Sequence, residues 1–307
     1  MVRRSMASVR RTNVQTLKIK LNYLRSLLDM IAFSHSIFAF PFALLGALLA
    51  VQASGSWPTP AQLGWIGLAM VGARSGAMGL NRIIDARLDS QNPRTSERHI
   101  PSGKVSLRAA WLLVLMSFSA LLLAAGMLNP LCLALAPLVV AMFVLYPFCK
   151  RFTYLSHVVL GACLGAAPVG AWIALRGDVR WPVVVLGFAV LLWVAGFDIL
   201  YALQDESHDR QAGLHSLPVR LGALRALQLA RLLHALMVLL LLIVAVNGGL
   251  GGIFLCGVLA TAGLLAWEHR LVQPDDLSLL NQAFFTMNGV ISVLLFVFAL
   301  VDVLILG

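Results

Sequence analysis

Seven of the 13 acidic residues in this 307-residue chain fall in two short segments, GLNRIIDARLDSQNPRTSERHIPSG and GFDILYALQDESHDRQAGLHSLPVRLG. In the first, Asn81, Asp85 and Asp89 follow one another at intervals of four, with Glu97 further on. In the second, Asp198, Tyr201, Asp205 and Asp209 run at intervals of three and four, with Glu206 beside them. These are helical spacings, which stack the acids along one face. Carboxylates one turn apart repel each other, so a cation is expected to compensate them. Arg82 and Arg87 are near in sequence but project to other sides of the helix. An amide oxygen and carboxylates so spaced are the hard ligands that Mg2+ prefers, an ion that retains waters and shares its coordination with substrate phosphates.

One DxxxD at a helix end is common on solvated faces; two in one chain point to a metal-diphosphate site. The frame Asn81-Asp85-Asp89 recurs as Tyr201-Asp205-Asp209 at an offset of 120, and Ser34-His35 recurs as Ser156-His157 at an offset of 122. The two halves therefore read as related helical units whose packing brings both clusters to one pocket, where two metal ions bracket one diphosphate.

The elements that must position these residues lie in a bilayer. The chain is 60% hydrophobic and 12% charged, with mean hydropathy +0.89, outside the soluble range. Runs of the length needed to cross about 30 Å of hydrocarbon are expected at 27–51, 61–82, 108–127, 131–148, 154–175, 182–203, 226–247, 250–267 and 284–305. The expected fold is an all-α integral membrane protein of about nine transmembrane helices around a central cavity. It divides into a basic N-terminal arm, 1–25, and a single transmembrane domain, 26–307.

The net charge of +10 follows the positive-inside rule rather than pointing to nucleic acid. Arg3, Arg4, Arg10, Arg11, Lys18, Lys20 and Arg25 precede the first span, and the even-numbered connections carry the other clusters. This places the N-terminus and both acidic segments on the cytoplasmic side, with Arg176 and Arg180 beside Asp178 as an outer-side exception. The acid-free first 28 residues also have the composition of an organellar targeting segment; no secretory signal peptide is expected. The four cysteines have no metal spacing and read as packing residues.

With their flanks, the motifs resemble the UbiA prenyltransferase family. NRIIDARLDSQNPRTSERHIPSG is similar to that family's NxxxDxxxD and trailing RTxxRxxPxG, and DILYALQDESHDRQAGLHSLP to its DxxYxxxDxxxD and GxxSxP. The likeness spans about residues 25–305. It implies nine helices around a cavity, with the diphosphate of an allylic polyprenyl donor held by Mg2+ on Asn81, Asp85, Asp89, Asp198, Asp205 and Asp209. Asp85, Asp205 and Tyr201 are the implied catalytic residues. Lys150 and Arg151 in YPFCKR, with Arg94 and Arg98, resemble the diphosphate contacts.

Arg74 stands apart. It lies seven residues before Asn81 on the same helical face, deeper in the membrane, where an arginine is a functional hypothesis by default. There it is expected to neutralise an aromatic carboxylate or a phosphate oxygen. Tyr201, Tyr154 or Tyr146 is expected to steady a carbocation with its ring face; the histidines read as structural groups.

The expected reaction is Mg2+-dependent transfer of a polyprenyl group from polyprenyl diphosphate to an aromatic acid in quinone biosynthesis, in a bacterial inner membrane. FSHSIFAFPFALLGALLA and NPRTSERHIPSG resemble 4-hydroxybenzoate polyprenyltransferases and their relatives in the futalosine route to menaquinone. The leading acceptor is 4-hydroxybenzoate, with a futalosine-pathway precursor the alternative. An ion-coupled transporter is the alternative of another class, but its acids would lie at the midplane beside broken helices.

Overall fold

The computed structural model describes residues 23, 25–31, 40–273, 277, 279–280 and 286–306. Nearly all of the basic arm expected at 1–25, and the Ser34-His35 half of the repeated pair, lie outside the described residues. Among the described residues the regular secondary structure is helical. The long helices are α1 (Phe40–Ser54), α2 (Pro60–Ile84), α4 (Leu107–Leu128), α5 (Pro130–Cys149), α6 (Ser156–Arg176), α7 (Trp181–Ala202), α10 (Ala223–Asn247), α11 (Gly252–Leu271) and α12 (Asn288–Leu306). The short helices α3 (Ala86–Gln91), α8 (Glu206–Gln211) and α9 (Leu217–Leu221) follow the acidic motifs.

Each expected span meets one long helix, but the count of nine does not follow from length and composition. Among the described residues, seven helices are long and apolar enough to cross a membrane. The helix of the first span is described over 15 residues, and α2, although 25 residues long, carries Gln62, Arg74, Asn81 and Arg82.

Helix starts follow local rules. Pro60 opens α2 behind a capping box in which the Thr59 side chain accepts from the Gln62 N–H and the Gln62 side chain accepts from the Thr59 N–H. Ser106 caps α4, and Asn129 caps α5 while its amide donates to the Ile173 carbonyl at 2.7 Å. That last bond ties α5 to the C-terminal end of α6.

Packing divides the bundle unequally. The largest core joins α1, α6, α7, α10, α11 and α12 through Phe42, Leu45, Trp172, Trp193, Met237, Phe254 and Ile291. On the other side α2 packs on α4 and α5, with a smaller cluster around Leu121, Phe143 and Cys163. Two close approaches tighten the larger core. A methyl group at Gly46 of α1 would come 2.2 Å from the Pro168 carbonyl oxygen of α6, and one at Gly161 of α6 would come 2.4 Å from that of Leu191 in α7. Small residues let backbones meet in lipid, where burial in the core gives little drive for association.

Candidate active site

Both acidic motifs end a long helix at the same face of the bundle, and both break at the middle aspartate. Asp85 (φ −91°, ψ 1°) separates α2 from α3. Asp205 (φ −100°, ψ 0°) ends the 3₁₀ turn Leu203–Asp205 between α7 and α8. These are bridge-region conformations, sparsely populated and recurrent at active sites. The acids expected along one continuous helical face are therefore set on a helix end, a break and a short second helix. At the first motif the hydrogen bonding carries through: the Asp85 N–H donates to Asn81 O at 3.0 Å and the Asp89 N–H to Asp85 O at 2.8 Å. The matched breaks support the repeat read between the motifs.

Cations do compensate the carboxylates, and they come from other elements. Arg94, in the loop after α3, crosses to the second motif, donating Nε to Asp205 Oδ1 at 2.8 Å and Nη2 to Oδ2 at 2.5 Å. Its Nη1 donates to the Tyr201 hydroxyl at 3.1 Å, and its guanidinium lies 5.3 Å from the centre of that ring. Arg98 donates to Asp89 Oδ1 at 2.6 Å. Lys150 and Arg151, adjacent at the end of α5, part company: Lys150 reaches Asp209 at 3.2 Å and Arg151 reaches Asp85 at 3.2 Å. Asn81 donates its amide to Asp85 Oδ2 at 3.0 Å. Burial pushes the Asp85 carboxyl up to about 6, against the lowering pull of the Arg151 guanidinium.

A cavity of about 730 Å3 opens beside this face between α2, α4, α5, α6 and α7. It follows α2 from Ile66 to Arg82, about 24 Å at 1.5 Å per residue. Most of its wall is apolar; Arg74, Asn81, Arg82, Arg98, Tyr146, Asp198 and Tyr201 are its polar lining. Arg74 Nε is buried there without a hydrogen-bond partner. Asp85, Asp89, Asp205 and Asp209 are not part of that lining.

Thus Asn81, Arg98, Asp198 and Tyr201 gather at the motif end of the cavity, and Arg74 lines its wall about two helical turns further along α2. Asp85, Asp89, Asp205, Asp209, Arg94, Lys150 and Arg151 form the ion-pair layer joining the two motifs. Among the described residues no group of three or more carboxylate, imidazole or thiol side chains converges on a metal position. Tyr154 does not reach the cavity: its ring meets His215 edge-on at 4.8 Å, with Arg220 5.0 Å above it.

Several residues escaped the sequence reading. Arg82, set aside because it points away from Asp85 and Asp89, lines the cavity. Asn92 donates to Asp205 Oδ1 at 3.1 Å, a contact across 113 positions with no local signal. His157, read as structural, touches Asp198 at 2.6 Å; the recurring Ser-His pair was the signal available for it.

The comparisons agree with this geometry. The profile of the UbiA prenyltransferase family matches residues 39–290. The 4-hydroxybenzoate octaprenyltransferase of Pseudomonas fluorescens (strain SBW25) is 35% identical over 212 residues, 68% of this chain and 70% of that one. That of Vibrio vulnificus (strain CMCP6) is 32% identical over 225 residues, 73% and 78% of the two chains. Among solved structures, a UbiA homolog from Aeropyrum pernix K1 without ligand is 34% identical with TM-score 0.79, covering 88% of this chain and 98% of its own. A UbiA homolog from Archaeoglobus fulgidus bound to GPP and Mg2+ shares the fold at TM-score 0.65 and 18% identity, over 91% of this chain and all of its own. With the family match over residues 39–290, the transporter alternative falls away. The chain belongs to the UbiA prenyltransferase family and is an integral membrane prenyltransferase.

Proposed function

We propose that this chain transfers a polyprenyl group from a polyprenyl diphosphate to 4-hydroxybenzoate, with Mg2+ as its metal and its active site on the cytoplasmic side of a bacterial inner membrane. The observation that carries this reading is the cavity, long and apolar along α2, with Arg74 in its wall and Asn81, Arg98, Asp198 and Tyr201 at its end beside the paired motifs. An isoprenoid tail suits the apolar wall, a diphosphate suits the cationic layer, and an aromatic carboxylate suits the buried, unpartnered Arg74 Nε. The names of the curated relatives support 4-hydroxybenzoate as acceptor.

The donor set fits Mg2+. Asn81 and Asp198 offer hard oxygen ligands at the cavity wall, and Asp89 Oδ2 is buried with no hydrogen-bond partner. Carboxylate and amide oxygens of this kind suit Mg2+, an ion that completes its coordination with diphosphate oxygens and water. The holding residues would be Asn81, Asp85, Asp89, Asp198, Asp205 and Asp209. When bound, Mg2+ supplies positive charge against the diphosphate as its bond to the allylic carbon breaks.

The chain's own side chains do the rest. Arg94, Arg98, Lys150 and Arg151 exchange carboxylate partners for diphosphate oxygens, so that fixed cations face the leaving group. Tyr201 and Tyr146 present ring faces to the allylic cation. Arg74 holds the acceptor carboxylate so that a ring carbon faces the cation, forms the new C–C bond and then loses its proton.

The test is prenyl transfer in membranes containing the protein, given Mg2+, geranyl diphosphate and 4-hydroxybenzoate, beside Asp85→Ala and Asp205→Ala. Prenylated 4-hydroxybenzoate from the unmutated protein alone is the expected result. Product only with a futalosine-pathway acceptor overturns the acceptor assignment, and no product with either overturns the reading.

A further inference from the structure

The imidazole of His157 is completely buried in the first turn of α6 and bridges two parts of the second motif. Its Nδ1 lies 2.6 Å from Asp198 Oδ2, and its Nε2 lies 3.4 Å from the backbone nitrogen of Leu217. A backbone N–H can only donate, so Nε2 presents its lone pair to Leu217. The ring proton is then on Nδ1, which donates to the carboxylate. Leu217 begins α9, whose start is capped by Ser216. One ring thus ties the Asp198 side chain to the segment that follows the acidic motif.

The register that brings ring and carboxylate together is built into the α6–α7 seam. His157, Gly161 and Gly165 are spaced by four on α6. A methyl group at Gly161 would lie 2.4 Å from the Leu191 carbonyl oxygen, and one at Gly165 would lie 2.4 Å from that of Gly187. Asp198 continues the antiparallel series on α7, beyond Leu191 and Gly187. Neither helix can slide or rotate by a residue without a side chain entering the other backbone. Asp198 lines the cavity, and a carboxylate with one oxygen held by Nδ1–H keeps acceptor capacity for a cation.

We propose that His157 is a positioning residue that orients Asp198 as a metal ligand through its Nδ1–H, in the manner of an outer-shell partner. This rests on the reading of Asp198 as part of the metal site. Losing such a partner lowers metal affinity by about 10–100-fold.

The test is Mn2+ titration, read by electron paramagnetic resonance, of the purified full-length protein in detergent with geranyl diphosphate. The proteins compared are unmutated, His157→Leu and His157→Asn. Asparagine places an amide N–H near the Nδ1 position; leucine fills the space without a donor. The expected result is Mn2+ affinity about 10–100-fold weaker in His157→Leu and within about threefold of the unmutated protein in His157→Asn. Equal affinity in all three overturns the proposal, because Asp198 then needs no donor. Equal loss in both variants, or an unfolded His157→Leu beside a folded His157→Asn that has lost Mn2+, also overturns it and leaves a packing role. If the unmutated protein binds no Mn2+, the metal-site reading fails first and the proposal with it.

Discussion

The Arg94–Asp205 pair is the strongest link between the two acidic motifs, and removing it has a calculable effect on the metal-free protein. Arg94 gives two hydrogen bonds to one carboxylate, at 2.8 and 2.5 Å, and Asp205 has a side chain only 10% exposed. Hydrogen bonds to charged groups contribute about 1.5–3 kcal/mol each, so the two set an upper bound of about 6 kcal/mol. The Arg94 side chain is 31% exposed, and solvent screening lowers the net figure to about 2 kcal/mol. Arg94→Gln should therefore lower the unfolding midpoint by about 3 °C. In a double-mutant cycle, Arg94→Gln and Asp205→Asn should couple by about 2 kcal/mol. The assay is thermal unfolding of the four purified proteins in detergent without metal, followed by tryptophan fluorescence. A coupling below about 0.5 kcal/mol refutes the claim that this pair holds the motifs together.

Two further outcomes follow from single side chains. Asp302 of α12 is 2% exposed and accepts the backbone N–H groups of Gly251, Ile253 and Phe254 at 2.6–3.1 Å, capping α11 from another helix. Asp302→Ala should cost about 2 kcal/mol or more, measured as lost thermal stability with the fold retained by circular dichroism; an unchanged midpoint would show the cap to be idle. The Asp85 carboxyl, raised by burial from the ordinary aspartate range to about 6, binds its proton more tightly in the folded protein than in the unfolded chain. The metal-free protein should therefore gain stability as pH falls through 6. Metal binding there must displace that proton, so Mn2+ affinity should fall by about tenfold per pH unit below about 6. A flat affinity between pH 7 and 5 would remove Asp85 from the metal site.

Much of this protein was legible along the chain. Bilayer residence and the approximate position of each long helix follow from apolar run length, because a lipid-spanning segment must satisfy its backbone internally and present apolar side chains over a fixed thickness. The paired motifs were visible because four-residue spacing is a property of one helix, readable without knowing what that helix packs against. The fate of the basic residues was not. Lys150 and Arg151 are neighbours in sequence yet serve different motifs, and Arg94 reaches an acid 111 positions away. The break at each middle aspartate was also hidden, since the i, i+4 spacing is the same for a straight helix and for one that stops and restarts.

What the amino-acid order determined by itself is therefore the set of helices, the two acidic frames and the family they resemble, all carried by contacts within a few residues. Tertiary structure alone decided which cation meets which carboxylate, that Arg82 faces the cavity while Tyr154 turns to His215 and Arg220, and that a buried histidine holds Asp198. Those outcomes depend on helix register at glycine seams such as Gly161 against Leu191. That register is set by how closely two backbones approach, a quantity that belongs to the pair of helices and to neither sequence alone.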